Sequence, residues 1–163
     1  MITSLNQFIK YFESFVEAHD QLNDFGYGST SEIGRSKDMQ FPYLWVTHSG
    51  ASSIQLQNKT QLPIISMTFL VVDQINDQEN YKEVNGADSN NCQEVLSDTF
   101  QMQQDLVSYI SNYLNAEGVK ILDQGASIEP LMDETTDKVC GWVLNLTVQI
   151  THLNCAIPWT LPE

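Results

Sequence analysis

The residues with the clearest chemical potential in this 163-residue chain are its carboxylates and its three histidines. Asp133, Glu134 and Asp137 lie close together, and paired carboxylates can act as general acid and general base. No nucleophile or pocket-forming motif accompanies them, so an acidic loop is the favoured interpretation. His48 and His152 fall in predicted strands, where packing or exposure to water is the more common role. The sequence therefore predicts a protein that is not an enzyme and uses no cofactor.

A metal site has little support. A calcium-binding loop needs alternating oxygen ligands, a glycine and a closing glutamate. Asp73, Asp77 and Glu79 do not have that spacing. They lie in a polar stretch, residues 73–90, for which a solvated or partner-contacting acidic loop is the favoured interpretation. We predict no metal ligand in the chain.

The charge balance limits which partners the protein can bind. Seven Lys and Arg residues against 21 Asp and Glu residues give a net charge of −14. A surface that holds nucleic acid by neutralising its phosphates needs clustered Lys and Arg. The composition argues against such a surface. It remains compatible with a channel through which DNA slides, because like charge prevents sticking.

The cysteines and the first residues indicate a reducing compartment. Cys92, Cys140 and Cys155 are odd in number and form no CxxC or Cys/His pattern, which favours free thiols over disulfides or zinc. The first residues lack the basic and apolar regions of a signal peptide. No stretch approaches the length of a membrane span. We expect no membrane partner and free thiols in a reducing compartment.

Two helices are predicted to position these residues. Ser4 and Gln7 form a capping box before an aromatic-rich helical stripe over residues 5–21. This stripe either packs on a sheet, which is favoured, or docks on a neighbouring subunit. A second helix begins at Asn91 and ends before Gly118, a residue suited to a helix terminus. Its polar side chains form an uncharged face that is typical of a contact surface: Gln101, Gln103, Gln104 and Asp105.

Period-two alternation predicts the strands, which cover residues 41–48, 54–57, 62–72, 119–122, 126–129 and 138–153. In the first of them, Tyr43 and Trp45 are candidates for an exposed aromatic pair. Residues 25–39, rich in glycine and small polar residues, are predicted to be a loop. The last strand would reach roughly 50 Å, more than twice a common strand. Such a strand predicts a sheet that extends past one subunit.

The predicted architecture is a single α+β domain over residues 1–163. It has a mainly antiparallel sheet with one long C-terminal strand, covered by two helices. Residues 154–163 are apolar and broken by prolines, so we expect a tail that docks on another surface.

The order of these elements resembles that of tail-terminator and tail-completion proteins of tailed bacteriophages. Segments 96–106 and 141–158 are also similar in texture to the small neck or ring proteins of crAss-like phages. The resemblance implies a structural virion protein that forms a closed ring of six or twelve copies at the junction between portal and tail. Its implied partners are the portal, another ring or tail proteins, and DNA passes through the lumen without specific binding.

Two alternatives remain open. One is another phage structural subunit, such as a tail tube or baseplate protein. The other is a small ligand-binding module built on His48, His152, Tyr43 and Trp45. For the ring, subunit contacts are expected in the long strand, the acidic loop and the tail, at Trp142, Leu144, Ile150, Ile157, Trp159, Asp77 and Glu79.

Overall fold

The computed structural model describes residues 2, 4–29, 32, 39–57, 60–75, 91–122, 126–133 and 138–151. They form two α-helices, a π-helical segment and seven strands. In chain order these are α1 (Leu5–Ala18), β1 (Asp24–Tyr27), β2 (Tyr43–His48), β3 (Ser53–Gln57), β4 (Thr60–Gln74), α2 (Cys92–Ser108), the π-helical segment (Tyr109–Leu114), β5 (Val119–Ile121), β6 (Ser127–Asp133) and β7 (Val139–Ile150). The predicted α+β class, with a mainly antiparallel sheet, two covering helices and a long strand near the C-terminus, is confirmed.

The described strands make one sheet around the long pair β4 and β7. The order across the sheet is β1, β2, β4, β7, β5, with β3 also paired to β4 and β6 also paired to β7. Only the pairing of β1 with β2 is parallel. The central ladder runs from Ile64 opposite Gln149 to Gln74 opposite Val139.

Strand β7 is enclosed by its own chain. One side pairs with β4. The other side pairs with β6 along residues 139–145 and with β5 along residues 148–150. The expectation that this long strand has an open edge for a second subunit is therefore wrong. Its length is matched instead by β4, which has 15 residues against 12 in β7.

The helices cover one face of the sheet. Phe12 of α1 makes edge contacts with both Phe8 and Phe69, each with ring centroids 5.0 Å apart. Helix α2 adds Met102 and Leu106 to the same core. The favoured interpretation of the aromatic stripe, packing within the subunit, is confirmed. The first helix ends at Ala18, three residues before the predicted end.

The opposite face carries a smaller apolar cluster, which includes Leu70 and Val72 and is extended by Phe41. Tyr43 and Trp45 belong to it and are only 4% and 7% exposed, so the predicted exposed aromatic pair is wrong. Trp45 is covered by strand β1, which the sequence pattern did not predict. At Gly26 of this strand a Cβ atom would lie 2.1 Å from Trp45 Cε3. The glycine thus leaves room for the indole ring against β1.

Candidate functional site

The most distinctive surface feature is a β-hairpin that projects from the sheet. Strand β3 pairs with the beginning of β4, from Ser53 opposite Ile64 to Gln57 opposite Thr60. Strand β7 pairs with β4 only as far as Ile64, and β2 only as far as Met67. Segments 53–57 and 60–63 therefore extend beyond the central strands as a two-stranded ribbon, which we call the hairpin.

The hairpin exposes two large apolar side chains. Ile54 and Leu56 are 63% and 76% exposed. They alternate along β3 and lie opposite Pro63 and Gln61. Pro63 is in phase with Ile65 and the other β4 residues that face the helices, so both side chains lie on the helix side of the sheet. Large exposed apolar groups in a cluster mark surfaces of interaction.

The hairpin also differs from the rest of the chain in charge. All 21 acidic residues lie outside residues 39–72, and the only Lys or Arg within that stretch is Lys59. In a chain with a net charge of −14, this is the region that a second acidic molecule can approach with least repulsion. Sequence reasoning predicted this strand but missed the exposure of Ile54 and Leu56, although their polar neighbours Ser53 and Gln55 were a signal that β3 lies outside the core.

A groove lies at the opposite edge of the sheet, between α2 and β6. Its volume is about 360 Å³, and its apolar lining comes from Phe100, Val107, Ile128 and Leu144. Ile128 is 39% exposed and Met132 is 56% exposed. The register of β6 against β7 places Ile128, Pro130 and Met132 on the helix side. Apolar atoms therefore continue from the groove along β6.

Gln103 lies at the back of the groove and is only 1% exposed. Its Nε2 donates hydrogen bonds of 3.1 Å to the carbonyl oxygens of Phe69 and Trp142. Its Oε1 has no hydrogen-bond partner among the described residues. The prediction that Gln103 belongs to a surface face of the helix is wrong, whereas Gln101, Gln104 and Asp105 are exposed.

The expected interface residues of β7 lie inside the subunit. Trp142 is half-buried under α2, where its Nε1 donates a 2.8 Å hydrogen bond to the carbonyl oxygen of Leu96 and its ring contacts Phe100. Leu144 and Ile150 are buried in the main core. A further set of expected contact residues lies outside the described residues: Asp77, Glu79, Ile157 and Trp159. Of the expected contact residues that the structure describes, Leu144 and Ile150 are buried and Trp142 is half-buried, so these three form no surface patch.

The histidines take part in contacts within the chain. His48 Nε2 is 2.6 Å from Tyr27 Oη, which links the end of β2 to β1. His19 Nε2 is 3.4 Å from a carboxylate oxygen of Asp105, which links the end of α1 to α2. His152, like Glu134 and Asp137, lies outside the described residues.

Burial shifts the pKa of three titrating groups in the described part of the chain. Desolvation, with a smaller contribution from Asp98, raises the pKa of Asp73 above its usual 3.8. Burial and two neighbouring tyrosines raise the pKa of Tyr109 to about 12. Burial also raises the pKa of the Cys140 thiol, which donates to the carbonyl oxygen of Cys92 at 3.5 Å. Each shift favours the neutral form, as expected of groups that pack rather than react.

A second recess, about 350 Å³ in volume, lies between α1 and β1 and is lined by Glu13, Glu17 and Asp24. Across the described ranges, no group of three or more His, Cys, Asp or Glu side chains is placed to hold a metal ion. Nor is any helix in the described part of the chain long and apolar enough to cross a membrane.

No protein-family model matches the chain, and no curated protein matches it.

Proposed function

We propose that this protein is a structural subunit of a tailed-phage virion and forms a closed ring at the portal-tail junction. The observation that carries the proposal is the hairpin, which exposes Ile54 and Leu56 in a region without acidic residues. In a chain of this net charge, an apolar and non-acidic projection is suited to contact another subunit. The DNA passes through the ring without specific binding.

The positions of the two surfaces support assembly by repetition. The hairpin strand β3 pairs with β4, and the groove strand β6 pairs with β7. The two surfaces therefore lie on opposite sides of the ladder between β4 and β7. Contacts between two different surfaces of one protein join copies head to tail, and they make a ring when the rotation closes. When it does not close, the same contact makes a filament, so a tail tube subunit is the second candidate.

The acidic character of the remaining surface supports a lumen for DNA. A lining with few Lys and Arg residues offers no ion pairs to the phosphates, so the DNA is not held in place. The ligand-binding alternative loses support, because Tyr43 and Trp45 are buried and the His48 side chain is hydrogen-bonded to that of Tyr27.

The proposal is tested by native mass spectrometry of the purified protein, followed by negative-stain imaging. We expect a closed ring of six or twelve copies, alone or when portal or tail proteins are added. An open tube would favour the tail tube candidate instead. A protein that stays monomeric at high concentration and with those partners would contradict both assignments.

A further inference from the structure

We propose that Cys92 and Cys140 form a site of reversible oxidation, at which a disulfide joins the start of α2 to the central strands of the sheet. Both thiols are free in the structure. Cys92 is the first residue of α2, and Cys140 lies on β7 opposite Asp73 of β4. The inference goes beyond the proposed function and does not depend on it, because it concerns contacts within one chain.

The two cysteines are already in contact. The Cys140 thiol donates a hydrogen bond of 3.5 Å to the carbonyl oxygen of Cys92. Burial raises the pKa of the Cys140 thiol, and a hydrogen bond with the side chain of Cys92 raises this pKa further. A disulfide bond is about 2.05 Å long, so the sulfur atoms must approach each other to form it. Helix ends fray, and Cys92 at the first position of α2 can supply this movement.

The two thiols differ in exposure, and this difference assigns their roles. Cys140 is 0% exposed, whereas Cys92 is half-buried, so an oxidant in solution reaches Cys92 first. A thiol that burial keeps neutral is inert toward dissolved oxidants by itself. Cys140 therefore reacts through its contact with Cys92, as the second thiol of the pair.

Hydrogen peroxide is an oxidant that balances the reaction. The Cys92 thiol loses its proton and its sulfur attacks a peroxide oxygen, so the O–O bond breaks and Cys92 becomes a sulfenic acid. The hydroxide that leaves takes up the lost proton and becomes water. The Cys140 sulfur then attacks the Cys92 sulfur, and the S–O bond breaks as the hydroxyl group leaves with the Cys140 proton as a second water. The two electrons that the thiols lose are those that reduce the peroxide.

The disulfide would fasten one end of α2 to the sheet. This end packs in a small apolar cluster of its own, in which Ile75, Val95 and Cys140 are buried and Leu96 is partly buried. A bond between Cys92 and Cys140 closes a loop of about 50 residues, which restricts the unfolded chain more than the folded one. Thiols stay reduced in a reducing compartment and oxidise outside it. The more stable form is therefore the one found after the protein leaves such a compartment.

Variants that each keep two cysteines test the pairing. Cys155 lies outside the described residues, and Cys155→Ser leaves only Cys92 and Cys140. After treatment with hydrogen peroxide, we expect Cys155→Ser to lose two hydrogen atoms in intact mass and to show no free thiol once it is denatured. Cys92→Ala and Cys140→Ala each keep Cys155, and we expect neither to form an internal disulfide. Circular dichroism checks folding, and Cys92→Ala suffices as the control if Cys140→Ala does not fold.

Several outcomes of this treatment would overturn the inference. They are two unreacted thiols in Cys155→Ser, its oxidation to a sulfinic acid, a disulfide between two chains, or an internal disulfide that forms equally fast in the alanine variants.

Thermal unfolding tests the consequence of the bond for the fold. We expect oxidised Cys155→Ser to unfold roughly 5 °C or more above its reduced form, because the bond closes a long loop. Dithiothreitol should return the midpoint to the reduced value by thiol–disulfide exchange. Hydrogen exchange should slow most in the first turns of α2. An oxidised form that unfolds at a lower temperature than the reduced form would show that the native fold does not accommodate the bond, and it would overturn the inference.

Discussion

At the scale of single residues, the amide of Gln103 joins α2 to both long strands of the sheet. It donates to carbonyl oxygens of β4 and β7 at once, and water cannot replace it because the side chain is buried. One buried side chain therefore links the helix to two strands of the sheet.

Removing this amide tests its contribution. We expect Gln103→Met to lower the free energy of unfolding by about 2 kcal/mol, because it removes two buried hydrogen bonds between α2 and the sheet. Urea unfolding measures the change. Gln104→Met, at the exposed neighbouring position, is the control and should cost less than about 0.5 kcal/mol. Equal costs at the two positions would show that the hydrogen bonds do not matter.

Asp73 predicts a dependence of stability on pH. Its pKa is raised in the folded state by burial and by Asp98, so folding favours the protonated form. The resulting penalty is absent below its usual pKa of 3.8 and grows as the pH rises through the folded-state value. We expect Asp73→Asn to stabilise the protein at neutral pH by less than about 1 kcal/mol, because the group is half-exposed.

Urea unfolding of Asp73→Asn at neutral pH and below pH 3.8 measures this dependence. The gain should disappear at the lower pH. Asp98→Asn should give a smaller gain of the same sign, because the charge of Asp98 is the lesser cause. A loss of stability at neutral pH in Asp73→Asn would contradict the account.

At the scale of elements, the ladder between β4 and β7 depends on a close approach at Gly141. A Cβ atom there would lie 2.0 Å from the carbonyl oxygen of Val71 and 2.8 Å from the Cα atom of Val72. These are backbone atoms, so relief requires that the strands move apart. Gly50 differs, since its φ of +69° disfavours a side chain but the space around it is open.

Alanine substitution separates these two effects. We expect Gly141→Ala to cost about 3 kcal/mol or more by separating the central strands. Gly50→Ala should cost about 1 kcal/mol through backbone conformation alone. Thermal and urea unfolding of both variants measure the difference. A Gly141→Ala protein as stable as Gly50→Ala would show that the ladder accommodates the methyl group.

The elements that the sequence predicts well are those with long periodic patterns. Helices α1 and α2 and strand β7 bury one repeating face, so periodicity locates them, and β4 stands out as a long apolar run buried on both faces. Strand β1 has only four residues, too few to show a periodic pattern. Its Gly26 leaves room for the indole ring of Trp45. Periodicity also cannot tell which strand edges are paired, so it does not reveal that β4 flanks one side of β7 and β5 and β6 flank the other.

The candidate site was harder to predict than the fold. The exposure of Ile54 and Leu56 depends on where β7 stops pairing with β4, which is a tertiary property. The burial of Gln103 depends on two carbonyl groups in strands that are distant in sequence. Composition, in contrast, correctly identified the excess of acidic residues that makes stretch 39–72, which has none, distinctive.

At the scale of the whole molecule, the net charge of −14 opposes both compactness and association. Raising the salt concentration from about 0.01 M to about 0.15 M shortens the screening length from about 30 Å to about 8 Å. We expect the unfolding free energy and self-association both to increase over this range, because salt screens the repulsion between the acidic side chains. Urea unfolding and sedimentation at the two salt concentrations test this. Association that weakens with salt would show that ion pairs dominate the contact.

The central ladder also determines when folding can be completed. It joins Ile64 to Gln149 and Gln74 to Val139, so each pair closes a loop of more than about 60 residues. During synthesis on the ribosome, β4 and both helices emerge before β7 exists to complete their core. Their apolar faces stay exposed until β7 has been synthesised, and contacts between residues so distant in sequence form slowly. The nascent chain therefore spends most of its synthesis as a candidate for chaperone binding, and it gains its native core only when residues 139–150 have left the exit tunnel.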